Sequence, residues 1–271
     1  MVNIKNNNLS LREIADSGQC FRMEELEDGR FRVIARDKII YLQQEMDRID
    51  FDCEKDEFEN IWKEYFDLDT DYGKLLETAK LDKDNYLEEA MEFGSGIRIL
   101  HQDLWEMIIT FIISQQNNIK RIKKLIEIIS EKYGKKCTDK YGNKYYSFPT
   151  PEELNKVSIE ELNGCSLGYR SKYIFKTSEM IVSKEVDLDE IKKMNYKDAR
   201  EELLKLVGIG KKVADCICLF ALHHLEAFPI DTHIKQVFAA HYPDGFPFAK
   251  YSGYEGVIQQ YIFYYDLHGN D

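Results

Sequence analysis

Two glycines, Gly208 and Gly210, stand immediately before two lysines, Lys211 and Lys212, between apolar runs of helical period. After a further apolar stretch comes Pro229-Ile230-Asp231-Thr232-His233. Neither glycine carries a Cβ, so the backbone there can turn tightly and approach a neighbour closely. The free N–H groups at the start of the second helix point outward, where the helix dipole favours an anion. This spacing suits a clamp on a phosphate backbone. Lys212 is then a poised amine, and Asp231 a carboxylate from a second helix start. The plain alternative is a tight inter-helix turn with two solvated lysines. A nucleotide P-loop is excluded, because no Gly-x-x-x-x-Gly-Lys-Ser/Thr is present. A dinucleotide fingerprint is excluded too, because a helix precedes the glycines and not a strand.

The elements that position these residues change character along the chain. Residues 1 to about 50 read as strands: Phe31-Arg32-Val33-Ile34-Ala35 and Ile39-Ile40-Tyr41-Leu42 are β-branched and aromatic, with turn signals at Asp28-Gly29 and Arg36-Asp37-Lys38. Near Phe51 the period becomes helical, first in Phe58 to Phe66, and almost everything beyond reads as helix and turn. Asp103 with Glu106 has capping-box spacing before Met107 to Ile113, a run apolar nearly all round that predicts a central helix. Thr150-Pro151-Glu152-Glu153 and Ser158 with Glu161 mark two more helix starts. Asp231 caps the helix through Ile234, Val237 and Phe238.

Composition sets the outer bounds. The chain has 271 residues, 44% hydrophobic, with ample material for a core. No apolar run is long enough to span a membrane, and Met1 to Asn7 lacks the apolar stretch of a signal peptide, so a cytoplasmic protein is expected. The six cysteines are scattered, with no pattern for a zinc site or an iron–sulfur cluster. A net charge of −12 argues against unspecific polyanion binding. The charge is uneven, however. Acid gathers at Glu24 to Asp28 and Glu54 to Glu57, base at Lys120 to Lys124, Lys135-Lys136, Arg170 to Lys172 and Lys211-Lys212. A basic face on an acidic body is compatible with DNA.

At these residues the chain resembles the helix-hairpin-helix DNA glycosylases, and among them the 8-oxoguanine DNA glycosylases. Ser17-Gly18-Gln19-Cys20-Phe21-Arg22 is similar to the family's N-terminal motif. Tyr65-Phe66-Asp67-Leu68-Asp69, Gly96 to Asp103 and the amide-rich Ser114 to Ile122 follow in family order. So do Leu167-Gly168-Tyr169-Arg170, Gly208 to Cys216 and Pro229 to His233. The resemblance covers nearly the whole chain. It implies an α+β fold, with a small N-terminal antiparallel β-sheet domain with flanking helices (residues 1–98) and a mostly α-helical glycosylase body (residues 99–271).

The resemblance also implies a chemistry. The flipped-out base lies in a pocket, and Lys212 displaces it from C1′ and forms a Schiff base with the opened sugar. The amine must be neutral to attack, and the helix N-terminus and burial are both expected to push Lys212 that way. Lys211 points about 100° away around the helix. Asp231 stabilises positive charge at C1′, although an aspartate in that place is equally a plain cap. Gly18 accepts from the N7–H that distinguishes oxidised guanine, Gln259 reads the Watson–Crick edge, and Phe263 and Cys216 sandwich the ring. Taken alone, the last two read as core. Arg121 and Arg170 contact the orphaned cytosine, Tyr169 wedges beside it, and His233 touches a phosphate. Gln116 stands where the family has the first of three asparagines, before Asn117 and Asn118, so retained filling of the gap with an altered opposite-base preference is expected. No metal carries the chemistry, and hairpin carbonyls could hold a structural monovalent cation. The expected partner is double-stranded DNA containing 8-oxoguanine, met by a monomer. Two other readings stay open: a monofunctional glycosylase for alkylated bases, and a non-catalytic DNA-binding module. A mismatch enzyme of the iron–sulfur type lacks its cysteines.

Overall fold

The structure is a computed structural model that describes residues 1–5, 8–46, 48–80 and 84–269. Asn6 and Asn7, part of the N-terminal segment read above, lie outside the described residues. The first part is a five-stranded antiparallel sheet: β1 (Val2–Lys5), β2 (Met23–Glu25), β3 (Phe31–Ala35), β4 (Lys38–Gln44) and β5 (Arg48–Phe51), in the order β1-β5-β4-β3-β2. Both turn signals act as read. Gly29 takes φ +81° between β2 and β3, and Arg36 takes φ +55° in the tight connection that pairs Ala35 with Lys38. Met23, Val33, Ile40, Leu42, Ile49 and Phe51 bury one face against Phe58, Trp62 and Phe66. The same core takes in Leu11 and Ile14 from a helix, Leu11–Asp16, inside the stretch that had read as strands only. It is capped by Ser10, whose hydroxyl accepts from the Glu13 N–H at 3.3 Å. Six residues are too few for a helical period to stand out.

The helical body is built around Leu104–Ser114, buried on every face as its all-round apolarity predicts. Asp103 caps it, accepting from the Glu106 N–H at 3.0 Å. The expected box closes only halfway, because Glu106 turns inward to Arg22 at 3.5 Å instead of reaching back to its cap. The boxes at Thr150 and Ser158 both close. Packed on the central helix are the hairpin helix Lys211–Phe220, the helix Ile119–Tyr133 and the helix Arg170–Val182. The C-terminal helix Glu255–His268 packs on Asn85–Phe93. Beyond Phe51 the chain is not wholly helical. β6 (Lys136–Thr138) and β7 (Lys144–Tyr146) form a small antiparallel hairpin. It docks on the sheet domain, with Tyr41 donating to Asp139 at 2.6 Å and Tyr145 to the Asp37 carbonyl at 2.8 Å.

Two buried polar joints tie sheet to helices. Gln19 donates to the Arg98 carbonyl at 2.9 Å and accepts from the Leu100 N–H at 2.9 Å, while Gln102 donates to the Gln19 carbonyl at 2.8 Å. This fixes the loop that carries Gly18. At the second joint Asp67 accepts from Thr70 and Tyr72, each at 2.8 Å, and faces His223 Nε2 at 3.1 Å, with His101 stacked on His223. Among the described residues no helix is long and apolar enough to cross a membrane.

Candidate active site

The glycine hairpin forms as its spacing demands. Gly208 adopts φ +87°, and a Cβ there would fall 2.5 Å from the Tyr173 ring, so no side chain fits. Gly210 is the N-cap of the next helix, with no side-chain cap and open space where its Cβ would be. The first N–H groups of that helix are therefore uncapped and open to an approaching phosphate. The hairpin is braced from behind: Thr177 donates to the Val207 carbonyl at 3.2 Å and Gln115 to the Gly208 carbonyl at 2.9 Å.

At the first two positions of this helix the lysines separate. Lys211 is exposed, whereas Lys212 turns inward and lines a cavity with Asp231, Cys216, Gly18, Gln259 and Phe263. Its Nζ lies 5.8 Å from the centroid of the Phe111 ring. Asp231 is indeed the cap of its own helix, accepting from the Ile234 N–H at 2.9 Å through Oδ1. Gly18 takes φ +74°, and the Phe263 ring covers it, 3.2 Å from where a Cβ would stand. The cavity is about 40 Å³, room for a few water molecules and too small for a purine. It opens into a groove of about 680 Å³ that shares Gly18, Phe111, Lys212, Asp231 and Phe263 with it.

The electrostatics overturn one expectation. The Lys212 amine is held above its ordinary range, not below it. Attraction to Cys216 is the largest cause, burial opposes it, and Asp231 adds to the rise. Cys216 is itself pushed up by burial, against the pull of Lys212. A buried thiol that keeps its proton at neutral pH offers no charge, so Asp231 is the attraction that persists there. Burial acts in the direction expected of it, and the expectation left out Cys216 and Asp231, which act against it.

The sequence also matches two family models that together cover residues 1–245. Residues 1–108 fit the family model described as 8-oxoguanine DNA glycosylase, N-terminal domain, and residues 109–245 fit HhH-GPD superfamily base excision DNA repair protein. The chain belongs to the 8-oxoguanine DNA glycosylase family of the HhH-GPD superfamily. It is 35% identical over 198 residues to the N-glycosylase/DNA lyase of Saccharomyces cerevisiae, an alignment covering 69% of this chain and 52% of that protein. The chain thus spans about half the length of that curated relative. Among solved structures it is similar to the Clostridium acetobutylicum 8-oxoguanine glycosylase/lyase bound to double-stranded DNA with cytosine opposite 8-oxoG, with a TM-score of 0.91 and 37% identity over 100% of this chain and 99% of that one. It is equally similar to MBOgg1 in complex with a low-affinity DNA ligand, with a TM-score of 0.92 and 36% identity over 99% of this chain and 96% of that one. The α+β architecture of a small antiparallel sheet before a helical body is the family's own.

Four of the remaining family positions line the groove. They are Gln116, Asn117, Asn118 and His233, with Gln116 in a left-handed turn at φ +49°. Asn117 donates to the Ile113 carbonyl at 3.0 Å, and Asn118 caps the next helix. Arg121 is exposed and donates to the Ser166 carbonyl at 3.2 Å. Arg170 does not reach outward. It is 4% exposed and donates to the carbonyls of Gln115 and Gln116, so in this state it braces the amide loop. Tyr169 is 45% exposed and stacks under the Arg170 guanidinium at 4.6 Å. His233 faces Asp266 at 2.8 Å and meets the Phe263 ring edge-on. Sequence reasoning missed Phe111 and Gln260 in the cavity wall. Phe111 lies in a run that reads as core throughout. Gln260 carried a signal, a second amide beside Gln259 in an apolar helix.

Proposed function

We propose that this chain is a bifunctional DNA glycosylase that excises 8-oxoguanine from double-stranded DNA and then cleaves the strand. The observation that carries the reading is the convergence of Lys212 and Asp231 on one cavity under Gly18 and Gln259. The uncapped hairpin N–H groups hold a phosphate, and the amide loop at Gln116 to Asn118 fills the gap left by the flipped nucleotide. The Gly18 carbonyl accepts the N7–H of the oxidised base, a hydrogen that guanine lacks. Lys212 gives up a proton and its Nζ bonds to C1′ as the C1′–N9 bond breaks, and the base departs with the bonding pair and is protonated. Asp231 stabilises the cationic sugar. Ring opening yields the Schiff base. Loss of a C2′ proton then expels the 3′ phosphate by β-elimination.

The similarity to named glycosylase/lyases and the shape of the groove support this reading. We place Arg121 and Tyr169 against the opposite strand, with Arg170 joining them when the loop it braces rearranges, and His233 near a phosphate. We further assign the protein to the cytoplasmic, nucleoid-bound pool as a monomer. A monovalent cation at the hairpin fits only in part, because the carbonyls of Val207 and Gly208 already accept from Thr177 and Gln115, and no step of the reaction passes through such an ion.

Product analysis tests the function. A duplex carrying 8-oxoguanine is expected to yield the free base and a nicked strand. Release of 3-methyladenine from a methylated duplex with 8-oxoguanine untouched would point to the alkylated-base reading. Tight binding without turnover would point to a non-catalytic module.

A further inference from the structure

Gln259 and Gln260 are neighbours in the apolar C-terminal helix, each 3% exposed, and both line the cavity that holds Lys212. A buried amide costs free energy unless its hydrogen bonds are made. One is made between the pair: Gln260 Nε2 donates to Gln259 Oε1 at 3.2 Å. Gln260 Oε1 is buried and has no partner among the described residues. A buried acceptor left unpaired in the cavity wall gains free energy from a donor brought to it.

The bond between the amides sets what they offer together. Gln259 keeps its NH₂ as a donor and one lone pair of Oε1 as an acceptor. Gln260 Oε1 adds a second acceptor. The pair therefore presents two acceptors beside its remaining amide N–H donors. The Watson–Crick edge of a guanine-type base has the complement: O6 accepts, while N1–H and the 2-amino group donate. Gln259 alone can satisfy O6 and N1–H, which leaves the 2-amino group for Gln260.

We infer that Gln260 is a second base-reading residue, whose Oε1 accepts a hydrogen bond from the 2-amino group of the flipped purine and so selects purines that carry one. This rests on the reading of the cavity as an 8-oxoguanine pocket. It is distinct from positioning of Gln259, because a positioning defect slows all substrates alike, whereas a lost direct contact removes discrimination.

Single-turnover excision on two duplexes tests it, one with 8-oxoguanine and one with 8-oxohypoxanthine, which differs only in lacking the 2-amino group. The wild-type protein is expected to favour 8-oxoguanine by about tenfold or more, the effect of leaving one buried acceptor unpaired. In Gln260→Met, which keeps the volume, and in Gln260→Ala, that ratio should fall close to one. An unchanged ratio in folded variants, with 8-oxoguanine still excised by the wild type, overturns the role of Gln260 alone. Failure of the wild type to excise 8-oxoguanine at all overturns the pocket reading and this role with it.

Discussion

Lys212 and Lys211 are adjacent in sequence and opposite in fate, one facing a cavity and the other solvent. Helical geometry alone says that only one of them can face the pocket, and the choice was legible from the motif. The direction of the Lys212 shift was not, because Cys216 and Asp231 act together against burial. An amine held above its ordinary range must shed a proton before it attacks, so the neutral fraction grows with pH. The single-turnover excision rate is predicted to climb steadily between pH 6 and 9, approaching tenfold per unit. A flat profile over that range would mean that the amine is already neutral at rest. Gly18, Gln259 and Asp231 were also picked out in the sequence, and the fold brings them to one cavity. Phe111 was not, since a buried aromatic in an all-apolar helix looks the same whether it faces core or cavity.

At the scale of elements, caps and turns were the readable features. Thr150, Ser158 and Asp231 start helices through local hydrogen bonds, which a few neighbouring residues determine. The helix Leu11–Asp16 and the β6–β7 hairpin were hidden, because both are short and held by distant partners, Gln44 for the helix and Tyr41 and Asp37 for the hairpin. The hairpin glycines separate two kinds of need. Gly208→Ala forces a Cβ into the Tyr173 ring at an unfavourable φ. It should lower stability by about 1–3 kcal/mol, seen as a lower midpoint in thermal or urea unfolding. Gly210→Ala meets nothing within the protein. It should leave unfolding nearly unchanged and weaken DNA binding, measurable by fluorescence anisotropy. Equal stability losses in the two variants would contradict this division.

For the molecule as a whole, the charge of −12 looked unfavourable for a DNA partner. The fold resolves part of that conflict, since Lys120 lines the groove and Arg121 and Lys211 stay exposed. Other basic residues are spent elsewhere, as when Lys123 donates to the Met23 carbonyl. A second buried charge couples the sheet domain to the body. Burial pushes the Glu106 carboxyl up to about 7, although Arg22 beside it pulls down. The folded protein therefore holds this proton between roughly pH 4.5 and 7, where the unfolded chain has lost it. Stability should fall as pH rises through that window, by on the order of 1 kcal/mol per unit at most. Glu106→Gln has no such proton to lose. Its stability curve from urea unfolding should diverge upward from the wild type across the window, and parallel curves would refute the assignment.

Borohydride reduction during reaction with an 8-oxoguanine duplex is the most direct test of the covalent step at Lys212. Wild type and Lys211→Gln are expected to give a protein–DNA adduct resolved on a denaturing gel, and Lys212→Gln none. An adduct formed by Lys212→Gln at the wild-type yield would show that another nucleophile attacks the sugar.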